Sequence, residues 1–162
     1  MALRWLLFDW GDTLMLEEGG PADVPMALWP EVRAVDGAAA VLEALSRRHR
    51  IGVCTNATVS DRAMIDRALE RAGLAPFVSE VFCYRELGRK KAEPAFWDAV
   101  VARLDARRDE LIMIGDDLAQ DVLAPLASGL AAVWFNWKRA PVPPGLDVPI
   151  IERLSELPVL LA

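Results

Sequence analysis

The sequence has little cysteine, no long apolar run and no excess of basic residues. Its two cysteines, Cys54 and Cys83, lie in separate apolar stretches. Their spacing matches neither a zinc site nor a redox pair. We therefore expect both to be buried as small hydrophobic side chains, which suits a reducing compartment.

The other two absences restrict the location and the partners of the protein. No apolar run approaches the length of a membrane span, and the N-terminal stretch reaches Asp9 too early for a signal peptide. The formal net charge of −6 argues against a nucleic-acid surface and against attraction to an anionic membrane. We expect a soluble, cytoplasmic protein that needs a metal ion or a few local cations to bind an anionic substrate.

The chain of 162 residues, of which 54% are hydrophobic, suits one domain with a sizeable core. Strands are predicted at 3–8, 51–54, 80–83, 111–115 and 131–135. Helices are predicted at 36–49, 60–72, 94–104 and 118–128, the last with a proline inside it. This alternation predicts an α/β fold, a doubly wound, Rossmann-like parallel sheet of about five strands with helices on both faces.

The connecting segments show no large cap domain. Residues 15–35 form a loop excursion that is too short to be a domain. Residues 136–149 are rich in proline and are expected to form a surface loop, and residues 150–161 are expected to return as a short strand and helix. We therefore treat residues 1–162 as a single domain.

Polar side chains follow the predicted strands at their carboxyl ends, where open α/β sheets bind ligands. Each has a plain explanation as a turn, a helix cap, a solvated basic loop or the acidic start of a helix. Together they supply a nucleophile, phosphate-binding groups, a cation and an acidic metal site, which is the set that phosphoryl transfer requires. They are Asp9, Thr55, Asn56, Lys90, Lys91, Asp116, Asp117 and Asp121.

The acidic residues after the fourth strand predict a metal site. Adjacent buried carboxylates repel each other and need a cation. Ligand sets made only of oxygen atoms favour magnesium. We therefore expect Mg²⁺ as the cofactor, and the spacing leaves open whether Asp117 or Asp121 is the further ligand.

The order of these groups resembles the haloacid dehalogenase (HAD) superfamily over nearly the whole chain. The first motif of that family is an apolar strand followed by Asp-x-Asp-x-Thr, and it corresponds to residues 6–14 with Asp9 at the nucleophile. The three later motifs correspond to Thr55, to Lys91 with Pro94, and to Gly115, Asp116 and Asp121. The chain thus resembles a cap-less or minimal-cap, phosphatase-like member of the family.

The resemblance implies a magnesium-dependent phosphohydrolase that forms an aspartyl-phosphate on Asp9. Its substrate would be a small phosphorylated molecule or a phosphorylated macromolecule. The implied catalytic residues are Asp9, Lys91 and Thr55; the phosphate-binding residues are Thr55, Asn56 and Lys91; the metal ligands are Asp9, the carbonyl of Gly11, Asp116 and Asp121.

Gly11 departs from the family pattern. The family's second aspartate, which usually acts as general acid and base, falls at this position, and Asp12 lies one residue too far along. Without a side-chain proton donor, we expect aryl and acyl phosphates to be hydrolysed in preference to sugar and alkyl phosphates. The same departure motivates an alternative: a weakly active or inactive HAD-fold protein that binds phosphate or a protein partner.

The sequence disfavours two other classes of protein, and it does not determine what covers the site. Receiver domains carry their acidic pair after the first strand, whereas here the acidic cluster comes last. The metal-free dehalogenase branch does not explain that cluster. Because residues 15–35 are too short for a cap, we expect a site that is open or covered by a second copy in a homodimer. Its candidate walls are residues 15–35, residues 136–149, and the side chains of Trp10, Trp29, Trp134 and Trp137.

Overall fold

A computed structural model describes residues 2–162, and its centre is one parallel sheet of six strands in the order β3-β2-β1-β4-β5-β6. Each pair of neighbouring strands is parallel. The predicted α/β class is confirmed, and the sixth strand comes from the predicted return of the chain after residue 149. The strands are β1 (Trp5–Phe8), β2 (Arg50–Thr55), β3 (Glu80–Cys83), β4 (Leu111–Gly115), β5 (Ala131–Phe135) and β6 (Ile150–Ile151).

The helices that connect the strands begin closest to their predicted first residues where a proline or a capping residue determines the start. Pro94 opens one of them at the predicted residue because its fixed φ suits the first helical position. Asp61 caps another, and its carboxylate accepts a hydrogen bond from the backbone N–H of Met64 at 2.9 Å. The α-helices are α1 (Ala38–Ser46), α2 (Arg62–Arg71), α3 (Tyr84–Leu87), α4 (Pro94–Leu104), α5 (Ala124–Ala127) and α6 (Leu157–Leu160), and short 3₁₀ helices occur at Met26–Leu28, Ala75–Phe77, Arg108–Glu110 and Leu154–Glu156.

The prediction of a single regular α-helix at 118–128 is wrong, although the segment is helical. The chain makes a π-helix over Leu118–Leu123 and continues directly into α5. Pro125 lacks the backbone N–H that a regular α-helix would bond to the carbonyl of Asp121. The wider turn accommodates this loss, and such turns often occur at functional sites.

Helices cover both faces of the sheet, as predicted. Successive side chains of a strand point to opposite faces, so Leu6 and Phe8 pack in a core cluster with α1 and α2. Leu7 lies in a second cluster with Trp97 of α4. Cys54 is buried with a free thiol, and so is Cys83. Within residues 2–162, no helix has the length and apolar character required to cross a bilayer.

Residues 15–35, which we call the flap, run from the end of the β1 turn to α1 and are fixed to α2. Ala27 and Trp29 are buried in the core. Arg71, the last residue of α2, donates hydrogen bonds to the carbonyls of Ala27 at 2.8 Å, Trp29 at 2.7 Å and Pro30 at 3.0 Å. The flap is therefore a packed part of this structure, held to α2 by apolar packing and by one guanidinium group.

We expect Arg71→Ala to lower the free energy of unfolding by about 1–3 kcal/mol, because three carbonyl groups lose a charged donor. Arg67→Ala, at an exposed position of the same helix, should change it by less than about 0.5 kcal/mol. Urea denaturation measures both, and limited proteolysis of the flap gives a second readout. Equal losses in the two variants would show that apolar packing alone holds the flap.

Candidate functional site

A buried ammonium group lies at the centre of the site, at the carboxyl edge of the sheet. Lys91 is 2% exposed. Its Nζ lies 2.7 Å from Oδ1 of Asp9, 2.6 Å from Oδ1 of Asp121 and 3.2 Å from the carbonyl oxygen of Cys54. Burial alone would lower the pKa of Lys91, but the two carboxylates raise it above its usual value. The side chain is therefore a fixed cation with all three of its donors in use.

Asp121 is held between the lysine and the end of β4. It is fully buried, and its Oδ2 accepts a hydrogen bond from the backbone N–H of Asp117 at 3.0 Å. A Cβ atom at Gly115 would lie 2.3 Å from the carboxyl carbon of Asp121. Glycine is therefore required at this strand end, because any side chain would displace the carboxylate that faces Lys91.

Asp116 is half-buried and faces the same site from the end of β4. Its Oδ2 lies 3.3 Å from the indole Nε1 of Trp137, which donates a hydrogen bond to it, and 3.7 Å from the ammonium group of Lys138. The indole of Trp134 donates to its carbonyl oxygen at 3.1 Å. Burial and, secondarily, the charge of Asp9 raise the pKa of Asp116 to about 6.

One carboxylate oxygen from each of Asp9, Asp116 and Asp121 lies within 4.8 Å of the others. These three carboxylates carry more negative charge than Lys91 neutralises. Burial and the nearby Asp9 also raise the pKa of Asp121 above its usual value, although Lys91 opposes this. An oxygen-only donor set with excess negative charge fits a hard divalent cation such as magnesium.

The structure distinguishes between the two acidic residues that the spacing left open. The carboxylate of Asp117 is exposed and accepts a hydrogen bond from the backbone N–H of Gln120 at 2.9 Å, so it caps the π-helix. Asp121 lies in the acidic cluster instead. Asp121 is fully buried, whereas Asp9 keeps some exposure and Asp116 is half-buried, so Asp9 and Asp116 are the more accessible candidate ligands.

The two residues at the end of β2 have different roles in the structure. Thr55 is buried, and its Oγ1 accepts a hydrogen bond from the backbone N–H of Ala57 at 3.0 Å, which leaves the hydroxyl hydrogen as a donor. The side chain of Asn56 accepts from the backbone N–H of Lys91 at 2.8 Å and donates to Gln120 at 3.0 Å. Asn56 therefore ties the lysine segment to the π-helix, and the contact of its backbone with phosphate stays a prediction.

A cleft of about 940 Å³ opens above these residues, which is in the usual size range for small-molecule sites. Both segments predicted as walls contribute to it. The flap contributes Gly20, Val24, Met26 and Trp29, and the proline-rich segment contributes Lys138, Ala140 and Pro141. Trp10 and Trp134 also line the cleft, whereas Trp137 bonds to Asp116 beside it.

Several contacts at the site were not predicted from the sequence. The hydroxyl of Thr13 donates to Oδ2 of Asp9 at 3.1 Å, and Lys138 comes from a loop without a recognisable pattern. Glu17 lies beside Gly11 and lines the cleft. Burial raises the pKa of Glu17 above its usual value, and nearby carboxylates raise it further. Only Thr13 belongs to the motif that predicted the site.

A family model described as haloacid dehalogenase-like hydrolase matches residues 12–129. The match covers well over half of the chain, so the chain belongs to the haloacid dehalogenase-like hydrolases. The matched range begins just after Asp9. The predicted family is confirmed.

The chain is also similar to curated phosphatases. It is 35% identical over 107 residues to the ribulose-1,5-bisphosphate 5-phosphatase of Halopiger xanaduensis, a match that covers 65% of this chain and 44% of the relative. It is 34% identical over 109 residues to the phosphoglycolate phosphatase of Rhodospirillum rubrum, with 65% and 44% covered. The chain thus spans about half the length of the curated relatives that it matches.

A solved structure confirms the fold. The putative HAD-hydrolase YfnB from Bacillus subtilis, described as bound to magnesium, superposes with a TM-score of 0.83 at 18% identity. The superposition covers 99% of each chain. The six-stranded sheet and its covering helices are therefore those of a known HAD architecture.

The raised pKa of Asp116 predicts a pH dependence of stability. With a pKa of about 6, this carboxyl group binds a proton more tightly in the folded than in the unfolded state. A folded state that binds more protons loses stability as the pH rises. In the absence of divalent ions, the contribution of this group to the free energy of unfolding should therefore decrease as the pH rises from about 4 to about 7.

Urea denaturation in EDTA across this pH range tests the prediction by comparing two matched variants. Asp116→Asn should reduce the loss of stability with rising pH. Asp117→Asn should leave it unchanged, because asparagine also caps helices. The same slope in both variants would show that Asp116 does not cause the effect.

Proposed function

We propose that the chain is a magnesium-dependent phosphohydrolase that cleaves phosphoric monoesters through an aspartyl-phosphate on Asp9. The single observation that carries this proposal is the buried contact of Lys91 with Asp9 and Asp121 at the floor of the cleft. The similarity to enzymes named as phosphatases supports a small phosphorylated substrate.

The geometry suits Asp9 as the nucleophile because both of its oxygens are oriented. Lys91 donates to Oδ1 and Thr13 donates to Oδ2. A carboxylate held in this way is already oriented toward the cleft, so little side-chain entropy is lost when it reacts. Attack on phosphorus forms the Asp9–phosphate bond as the bond from phosphorus to the leaving oxygen breaks, and that oxygen takes up a proton to leave as the alcohol. Water then attacks phosphorus, and the free carboxylate and inorganic phosphate are released.

Charge stabilisation comes from groups that are fixed before the substrate binds. The ammonium of Lys91 and the hydroxyl of Thr55, with the backbone at Asn56, are placed to hold phosphoryl oxygens as their charge develops. Bound magnesium, with Asp9, Asp116, Asp121 and the Gly11 carbonyl as its proposed ligands, would offset the negative charge of the carboxylates and polarise the phosphoryl group.

The cleft walls are the proposed source of substrate selection. Residues of the flap line the cleft together with Asp9, Lys138, Ala140 and Pro141, so they would contact the leaving group of a bound substrate. Because these walls belong to the chain itself, we propose that residues 1–162 act as one unit in which Lys138 and Trp29 contact the substrate. Whether a second copy adds to the walls is measured by the molecular mass in solution.

The proposal predicts phosphate release that depends on the metal and on Asp9. With magnesium, the wild type should hydrolyse para-nitrophenyl phosphate and members of a metabolite panel, because the metal and Asp9 act in the same step. EDTA should abolish turnover, and Asp9→Asn should reduce it by at least about 10³-fold. Released phosphate is the readout.

Two outcomes would contradict this mechanism. Full turnover in EDTA or by Asp9→Asn would exclude the metal-dependent aspartyl-phosphate. Phosphate binding measured by calorimetry, without turnover of any substrate, would favour the alternative of an inactive binding protein. The circular dichroism spectrum of Asp9→Asn shows whether this variant is folded.

The adjacent lysines provide a matched test of the cation. Lys91→Ala should lower kcat by about 10²–10³-fold, since a fixed donor to the developing charge is lost. Lys90→Ala should change it by less than about threefold, because this side chain is exposed near the ring of Tyr84 and surface substitutions have small effects. Equal losses, or the reverse order, would show that the register assigned to the lysine is wrong.

A further inference from the structure

The place of a side chain at residue 11 is filled by the end of another side chain. A Cβ atom built on Gly11 would lie 1.8 Å from Oε1 of Glu17 and 2.5 Å from the carboxyl carbon of that residue. The φ angle of Gly11 is not in the left-handed region, so the backbone itself would accept other residues. The carboxyl group of Glu17 therefore occupies the place in which a side chain at residue 11 would begin.

A tight turn brings Glu17 back to this place. Gly11 and Met15 form an isolated β-bridge, and the backbone N–H of Asp12 donates to the carbonyl of Met15 at 2.6 Å. Asp12 has a φ of 55°, a left-handed conformation that aspartate tolerates better than most residues. Its Oδ1 accepts a hydrogen bond from the backbone N–H of Glu17 at 3.1 Å.

This turn gives the two nearby carboxyl groups different positions. Asp12 uses a carboxylate oxygen to stabilise the turn, whereas the side chain of Glu17 lies over Gly11. Glu17 lines the cleft together with Asp9 and Gly11. It is also exposed to solvent, so it can exchange protons with water.

We propose that Glu17 is the general acid and base of this site, in place of the aspartate that Gly11 lacks. The inference rests on the proposed phosphohydrolase function. It replaces the expectation, drawn from the sequence, that alkyl phosphates are poor substrates, because the missing proton donor is supplied from the flap.

The chemistry balances over two steps. As an oxygen of Asp9 bonds to phosphorus, the bond from phosphorus to the leaving oxygen breaks, and that oxygen takes the proton of the Glu17 carboxyl group. In the second step, water gives a proton to the Glu17 carboxylate as the water oxygen attacks phosphorus. The Asp9–phosphate bond then breaks, inorganic phosphate leaves, and Glu17 is protonated again.

The test compares two leaving groups in one variant that preserves shape. Glu17→Gln keeps the size of the side chain and removes its acid. Its kcat/KM for glycerol phosphate should fall by about 10²–10³-fold, because an alkoxide needs a proton to leave. For para-nitrophenyl phosphate, whose leaving group is stable as an anion, the first step should change by less than about tenfold.

A second readout follows the intermediate rather than the rate. Hydrolysis of the aspartyl-phosphate also needs Glu17, so para-nitrophenyl phosphate should give a burst of nitrophenol and phosphorylated Asp9 in Glu17→Gln. Intact-mass spectrometry after an acid quench detects this species. A role of Glu17 that is only structural would lower the burst and the steady state together.

Three further variants separate Glu17 from its neighbours. Glu18→Gln changes the next carboxylate, which is exposed, and should behave as the wild type. Asp12→Asn keeps the acceptor for the Glu17 backbone N–H and should also retain alkyl phosphate turnover. In a Glu17→Ala background, Gly11→Asp places a carboxyl group in the vacated volume and should recover at least about tenfold of the lost glycerol phosphate activity.

The outcomes are distinguishable. If the wild type releases phosphate but Glu17→Gln matches Glu18→Gln on both substrates, Glu17 is not the acid. If Asp12→Asn shows the selective loss instead, the acid is Asp12. If the wild type hydrolyses neither substrate with magnesium, the proposed function fails and this inference fails with it.

Discussion

The site depends on one buried cation. An unpaired carboxylate is costly to bury, and so is an unpaired ammonium. Lys91 and its two partners are together tolerated in the interior because an oxygen of each carboxylate lies within 2.7 Å of the ammonium nitrogen. Trp97 holds the segment from below, since its indole donates to the carbonyl of Lys91 at 2.7 Å. Asn56 holds the backbone of Lys91 from the β2 end. The packing of α4 and the geometry of the site are therefore linked through the backbone of Lys91.

Sheet topology explains why residues far apart in sequence meet at this cation. β1 lies between β2 and β4, and in a parallel sheet these strands all end at one edge. The order also reverses between β1 and β4, which is the crevice where such sheets bind ligands. Asp9 and Asp116 follow the two strands that border this crevice. The acidic pair is thus close because of strand order, not because of local sequence.

The fold and the centre of the site could be predicted because strand ends and helix starts carry local signals. Pro94 and Asp61 fix their helices by backbone and capping chemistry, and Asp9 follows an apolar run. Asp121 needed more than a local pattern, because its direction depends on the π-helix before Pro125 and on the space at Gly115. Lys138 could not be predicted, since a loop residue approaches Asp116 only after β5 is packed.

The carboxyl groups of the site differ in access, and this difference supports the roles proposed for them. Asp121 is fully buried and bonded to Lys91, which suits a group that positions the cation rather than one that exchanges protons with a substrate. Asp9 is oriented by two donors, which suits a nucleophile and a metal ligand. Glu17 alone among these three comes from the flap and is accessible to solvent. A proton donor must reach both water and the leaving group, and the exposed, cleft-lining side chain of Glu17 is suited to this requirement.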